Sequence, residues 1–142
     1  MNILLNSILF FTLLINPILE GRWIIERFIT FEIVINSKNF QSLDAEQQIR
    51  GLEMYNLYLE GVDLNFTADT VYFKDLKNEK IIDKIGLWYI DKDTLNINDL
   101  EVMATYKYYI ETLSECNLHL IPVLPRGLVS KGGSTFIKDT CS

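Results

Sequence analysis

Residues that carry chemistry are scarce in this chain. It has a single histidine, His119, and two cysteines, Cys116 and Cys141, among 142 residues. Metal sites built on nitrogen and sulfur need several such ligands at short spacings, and neither a C-x-x-C nor an H-x-x-x-H spacing occurs. The sequence therefore predicts no metal site. Strand alternation places His119 on the outward face, away from Leu118 and Leu120.

Motifs for catalysis and for phosphate binding are also missing. No G-x-S-x-G nucleophile elbow occurs, and the glycines near the C-terminus, Gly127, Gly132 and Gly133, do not lie between a strand and a helix as a phosphate loop requires. A Ser-His-Asp triad is a geometric object that spacing alone does not show. We therefore expect no catalytic residues, no enzymatic activity and no cofactor.

The chain has fewer basic than acidic side chains. The chain has 13 Lys and Arg residues against 19 Asp and Glu residues, which gives a formal net charge of -6. Binding to a phosphate backbone depends on neutralising its charge with clustered Lys and Arg. The composition therefore excludes nucleic acid as an expected partner.

The first twenty residues lack lysine, arginine and histidine altogether, and Glu20 is their only charged side chain. Residues 8–15 form an apolar run broken only by Thr12, a length that fits a signal-peptide core better than a membrane span of about 20 residues. A basic start and an A-x-A cleavage site are both absent. We predict a signal peptide or membrane anchor over residues 1–20, followed by a domain over residues 21–142.

The compartment follows from this segment. A cleaved segment predicts an extracytoplasmic protein, whether periplasmic, on the cell surface or secreted. A retained segment predicts anchoring by residues 1–20, which is then the only contact with a membrane. A third interpretation, an apolar strand or helix belonging to the core, stays open at this point.

The two cysteines depend on the compartment. In an exported domain Cys116 and Cys141 are candidates for a disulfide that closes a loop of roughly 25 residues and contributes about 3 kcal/mol. The alternative is two free thiols, which is the expected state in a reducing compartment.

One helix is predicted. Apolar side chains from Leu43 to Leu59 recur at helical spacings, with Ser42 or Asp44 as candidate N-cap and Gly61 at the C-terminus. The sequence thus predicts a helical insertion near residues 43–59. Before it, alternation from Trp23 to residue 35 predicts one long first strand or two short ones.

Short strands follow the helix. Alternating segments begin at Val62 and recur with turn signals every 8 to 12 residues or so, a spacing typical of sandwiches and barrels. Residues 74–84 are predicted as a longer loop or a weak strand, and residues 134–138 as the last strand. Tight turns require antiparallel neighbours, so a mainly β, antiparallel up-and-down meander is expected.

A series of aromatic and aliphatic positions covers nearly the whole chain after residue 20. It consists of Gly21 and Trp23, Leu64 and Phe66, Gly86, Trp88 and Ile90, Leu95 and Ile97, Tyr108 and Ile110, and Leu118 and Leu120. The series resembles the lipocalin-like domains of proteins exported by bacteria. The resemblance implies a barrel of about eight strands, with an interior that is packed with side chains or holds one small apolar ligand. It brings no catalytic residue.

Seven tyrosines exceed what a core of this size needs, and some must be exposed or line a cavity. Aromatic rings with a polar tip are favoured both in small-molecule pockets and at protein interfaces. We therefore expect a non-catalytic binding domain for a small apolar ligand, whose contact residues the sequence leaves unknown. The alternative is a structural or interaction module with a packed interior that contacts another surface protein by its aromatic face or an edge strand.

Overall fold

The computed structural model describes residues 17–142. Eight antiparallel strands form a closed barrel, in which each strand pairs with its neighbours in sequence and β8 pairs with β1. The predicted antiparallel meander barrel is confirmed. The strands are β1 Gly21–Phe28, β2 Asp63–Phe66, β3 Thr70–Lys77, β4 Lys80–Asp91, β5 Thr94–Asp99, β6 Thr105–Leu113, β7 Asn117–Pro122 and β8 Ser134–Lys138.

Three helices separate β1 from β2: α1 Ile29–Ile35, α2 Lys38–Gln41 and α3 Ala45–Gly61. The long helix α3 begins at Asp44, whose carboxylate accepts a hydrogen bond from the Gln47 backbone N–H while the Gln47 side chain accepts one from the Asp44 N–H. This capping box satisfies two backbone donors that would otherwise lack partners. The predicted helix is confirmed, with Asp44 as its N-cap and both ends about two residues later than predicted.

The prediction of strand structure beyond residue 28 is wrong. Phe28 is the last residue of β1 that pairs with β8, opposite Ser134, and the chain then turns into α1. An ion pair of 2.7 Å between Arg27 and Glu32 lies across this turn, and the Thr30 hydroxyl accepts a hydrogen bond from the Gly133 N–H. Alternation alone predicted a strand here, but within residues 17–142 no strand pairs with the chain beyond Phe28.

The loop prediction for residues 74–84 is also wrong, and the alternative of strand structure is confirmed. β3 and β4 pair continuously from Thr70 opposite Leu87 to Lys77 opposite Lys80. Only Asn78 and Glu79 form the turn, with φ values of 51° and 63°. Positive φ at both central residues is typical of the type I′ turn that matches the twist of a hairpin.

One end of the barrel is filled by large side chains. Leu19 and Trp23 are fully buried there, and the indole Nε1–H of Trp23 donates to the Leu19 carbonyl at 2.8 Å. Phe66 and Trp88 meet edge to face with ring centroids 5.3 Å apart. We call this the closed end. Its packing includes Leu19, which lies just before the predicted domain start at residue 21.

A disulfide joins Cys116, in the turn between β6 and β7, to Cys141, in the short 3₁₀ turn after β8, with Cα atoms 5.7 Å apart. Beside it the Lys138 N–H donates to the Cys116 carbonyl at 3.0 Å. The C-terminus is thereby attached to the closed end of the barrel. The redox state of this pair in the cell stays a prediction.

His119 lies on the face of β7 opposite the buried Leu118 and Leu120, as alternation predicts. Its Nε2–H donates to the Gly132 carbonyl at 2.6 Å, which assigns this side chain a role in holding the loop between β7 and β8. Within residues 17–142, no group of three or more His, Cys, Asp or Glu side chains is arranged to hold a metal ion. Nor does that part of the chain contain a helix long and apolar enough to cross a bilayer.

Candidate ligand pocket

The end of the barrel opposite the closed end holds a partly open pocket of about 190 Å³. Aliphatic side chains from β2, β5 and β7 form the floor, among them Leu64, Ile97 and Leu120. Aromatic side chains contribute much of the remaining lining, from Phe28, Tyr58, Phe73, Tyr106 and Tyr108, and the polar residues Lys74, Asp75 and Ser134 also belong to it.

The helix α3 covers part of the mouth. Its residue Tyr58 stacks on Phe28 at the end of β1, with ring centroids 4.4 Å apart and an interplanar angle of 24°. Burial raises the pKa of Tyr58 to about 12, the charge of Asp75 adds to this, and the Ser134 hydroxyl opposes it. The phenol of Tyr58 is therefore neutral at physiological pH and can both donate and accept a hydrogen bond.

Tyr108 projects into the pocket from β6. Burial is the main cause that raises its pKa, and the negative charges that Tyr58, Asp75 and Tyr106 carry when ionised raise it further. Tyr108 makes no side-chain hydrogen bond with the other residues of the described chain, whereas the Tyr106 hydroxyl donates to Asp99 at 3.0 Å. The pocket thus offers a neutral phenol, Tyr108, beside apolar side chains and the polar lining residues Tyr58, Asp75 and Ser134.

A buried charge cluster lies beside the pocket. The Lys84 ammonium contacts the Asp99 carboxylate and donates to the Tyr106 hydroxyl at 3.2 Å, with the two charged side chains 8% and 0% exposed. Asp99 also accepts hydrogen bonds from the backbone N–H groups of Glu101 and Val102. Burial tends to raise the pKa of Asp99, but these donors outweigh it and lower that pKa to about 2. The hydrogen bond to Asp99 in turn raises the pKa of Lys84.

The same ammonium contacts two aromatic faces. Lys84 Nζ lies 5.7 Å from the ring centroid of Phe73 and 5.4 Å from that of Tyr106, within the range of cation–π attraction. These rings meet edge to face with centroids 6.4 Å apart, and both line the pocket. The aromatic wall between β3 and β6 therefore already accommodates one buried cation.

Sequence reasoning identified part of this site. It expected surplus tyrosines to be exposed or to line a cavity, and the structure brings Tyr58, Tyr106 and Tyr108 together while Tyr72 and Tyr89 are half exposed. It missed Asp75 and Lys84, because both lie in the segment predicted as a loop. Extending the period-2 pattern from Val71 and Phe73 would have placed Asp75 on the inner face.

The barrel resembles the crystal structure of a lipocalin-like protein from Bacteroides uniformis, with a TM-score of 0.50, 16% sequence identity and coverage of 85% of this chain and 98% of that chain. The fold is lipocalin-like. No family model and no curated protein matches the chain. At this sequence identity the likeness concerns the fold alone. Membership of a family of exported bacterial proteins therefore stays a prediction.

Proposed function

We propose that this protein is an exported, non-catalytic binding domain that holds one small, largely apolar ligand in the pocket at the open end of its barrel. The observation that carries the proposal is the contrast between the two ends. The closed end is filled by Leu19 and Trp23, while the opposite half of the same barrel leaves about 190 Å³ unfilled.

The size of the pocket limits the ligand. Drug-sized pockets span about 300 to 1,000 Å³, whereas an apolar cavity of about 150 Å³ is enough to hold benzene. The pocket therefore fits a single ring or a short branched chain. A barrel of eight strands is wide enough either to be filled by side chains or to hold one small ligand, so its size is compatible with the proposal.

A neutral aromatic probe tests the proposal. We expect toluene to bind the full chain, seen by ligand-observed NMR and by a rise in Tm that grows with toluene concentration. Ser134 is a small residue of the lining, so Ser134→Phe should occupy the pocket and abolish both signals.

Thr112→Phe is the matched control, because it adds the same ring at an exposed position of β6 outside the barrel and should leave toluene binding unchanged. Equal toluene binding by both variants, or none by the unmodified protein, would contradict the proposal. Native mass spectrometry of protein purified from its own host gives an independent test, since a bound natural ligand should add its mass to the wild type and not to Ser134→Phe.

The second candidate is an interaction module, and one observation favours it. The loop between β5 and β6 exposes three apolar side chains: Leu100 at 50%, Val102 at 52% and Met103 at 94%. Contact through an edge strand is excluded for β1 to β8, because these strands form a closed barrel without a free edge. If the loop binds a partner protein, Met103→Asp should abolish capture of that partner while toluene still binds.

A further inference from the structure

We propose that the ligand of this pocket is a small organic cation, a protonated or alkylated amine on an apolar body, and that Asp75 is its counter-ion. This inference rests on the proposed function and specifies its ligand. It is carried by a carboxylate that has no cationic partner among residues 17–142 and that lies at the wall of a largely aromatic pocket.

Asp75 faces the barrel interior because it follows Val71 and Phe73 at alternate positions of β3. Its Oδ1 accepts a hydrogen bond from the Leu76 backbone N–H at 2.8 Å. Among residues 17–142 no Lys, Arg or His nitrogen lies within 4.0 Å of its carboxylate. Lys74 is the one basic residue of the lining, and strand alternation turns its exposed side chain toward the opposite face of β3.

The surroundings of Asp75 favour a cation. The carboxylate lies close enough to Tyr58 and Tyr108 for its charge to act on both phenols. Aromatic faces attract ammonium groups through the negative potential of their π systems, most strongly where water is excluded. An anionic ligand would be repelled by the Asp75 carboxylate. A purely apolar ligand would remove water from that carboxylate without supplying a hydrogen bond in its place.

The barrel already shows the same arrangement once. Lys84 places its ammonium against Phe73 and Tyr106 with Asp99 as counter-ion. Asp75 lines the same pocket as Tyr58 and Tyr108 but has no ammonium partner among residues 17–142. A ligand amine at this point would complete a second cation site of the same chemistry, with its apolar body against Leu64 and Leu120.

Three probes of equal shape and different charge test the inference by isothermal titration calorimetry on the full chain at neutral pH. They are phenethylamine, which is a cation, 2-phenylethanol, which is neutral, and phenylacetate, which is an anion. We expect phenethylamine to bind at least ~10-fold more tightly than the alcohol, and phenylacetate to bind most weakly.

The variant Asp75→Asn should remove this preference, so that phenethylamine binds only as tightly as 2-phenylethanol, whose own affinity changes little. Asp83→Asn is the matched control: it removes the same charge from an exposed position of the neighbouring strand β4 and should keep the preference.

The outcomes separate the two proposals. If 2-phenylethanol or phenylacetate binds as tightly as phenethylamine, the inference of a cationic ligand is wrong while the binding function stands. If none of the three probes nor toluene binds, both are wrong. The comparison of probes on the unmodified protein decides the matter even if Asp75→Asn fails to fold.

Discussion

At the scale of single residues, the most consequential side chains are the charged pair Lys84 and Asp99. Both are almost fully buried, unlike the exposed helix pair Arg50 and Glu46, whose side chains are 64% and 83% exposed. A buried pair adds little net stability compared with apolar side chains, but loss of one partner leaves an uncompensated buried charge.

We predict that Lys84→Met and Asp99→Asn each lower the free energy of unfolding by about 3 to 5 kcal/mol. The double variant Lys84→Met/Asp99→Leu should lose less than either single variant, because it leaves no unpaired charge. Urea denaturation measures all three. Glu46→Gln, which breaks the exposed pair, should change stability by less than about 1 kcal/mol. A double variant as unstable as the sum of the singles would contradict this account.

The low pKa of Asp99 predicts a specific pH dependence. The pKa of Asp99 falls from 3.8 to about 2 on folding. Between these two pH values the carboxylate is ionised in the folded protein and protonated in the unfolded chain. The resulting stability, roughly 2 kcal/mol, is present above about pH 4 and is lost as the pH falls toward 2. Denaturation curves between pH 5 and pH 2 should show a smaller decline for Lys84→Met/Asp99→Leu than for the wild type. Parallel curves would contradict the assignment.

At the scale of elements, the segment before β1 behaves as part of the barrel. Leu19 is fully buried and supplies the carbonyl that accepts from Trp23, while the Ile18 carbonyl accepts from the Lys138 ammonium at 2.9 Å. The same ammonium lies 5.1 Å from the centre of the Trp23 ring. These contacts attach the chain before β1 to the last strand.

Leu19→Ala should therefore lower the free energy of unfolding by about 2 to 5 kcal/mol, as expected for a buried leucine. Its neighbour Ile18 is 39% exposed, so Ile18→Ala is a matched control that should cost much less. Thermal or urea denaturation compares the two. Equal losses would show that Leu19 is not part of the core.

The elements also show what the sequence could predict and where it could not. The hairpins from β4 to β8 and the helix α3 carry their own local signals: alternation, turn residues and the Asp44 capping box. Whether residues 29–35 form a strand depends on a partner strand, which no local pattern encodes, and none of the strands within residues 17–142 pairs with them. The pocket depends on where side chains from β1, α3, β3 and β6 meet in space, so its tyrosines could be counted from the sequence but not placed.

At the scale of the whole molecule, the disulfide closes the C-terminal part of the barrel. Cys116 and Cys141 are 25 residues apart, and in the chain-entropy model their bond contributes about 3 kcal/mol. Reduction should lower the urea midpoint of the wild type accordingly. The variant Cys116→Ser/Cys141→Ser should be insensitive to reductant. An unchanged midpoint for the wild type on reduction would contradict this prediction.

If the protein is exported, the structure predicts the first residue of the mature chain. If the N-terminal segment is cleaved, the buried Leu19 must be kept for the closed end to stay packed, so the mature protein should begin at or just before Leu19. N-terminal sequencing of the extracytoplasmic form measures this directly. A first residue after Glu20 would contradict the role of Leu19, and an intact Met1 recovered from the cytosol would contradict export.

The position of the closed end also determines how a membrane-anchored form of the domain would be oriented relative to the bilayer. β1 begins at this end, so a chain anchored through its N-terminal segment would hold its Trp23 end toward the bilayer and present the pocket mouth to the opposite side, roughly 20 Å farther out. In a Trp88→Phe variant, in which Trp23 is the one tryptophan, brominated lipids should then quench the tryptophan fluorescence but not a fluorophore attached at Met103, in the loop between β5 and β6. In that arrangement the proposed ligand would reach the pocket from the aqueous phase and not from the lipid.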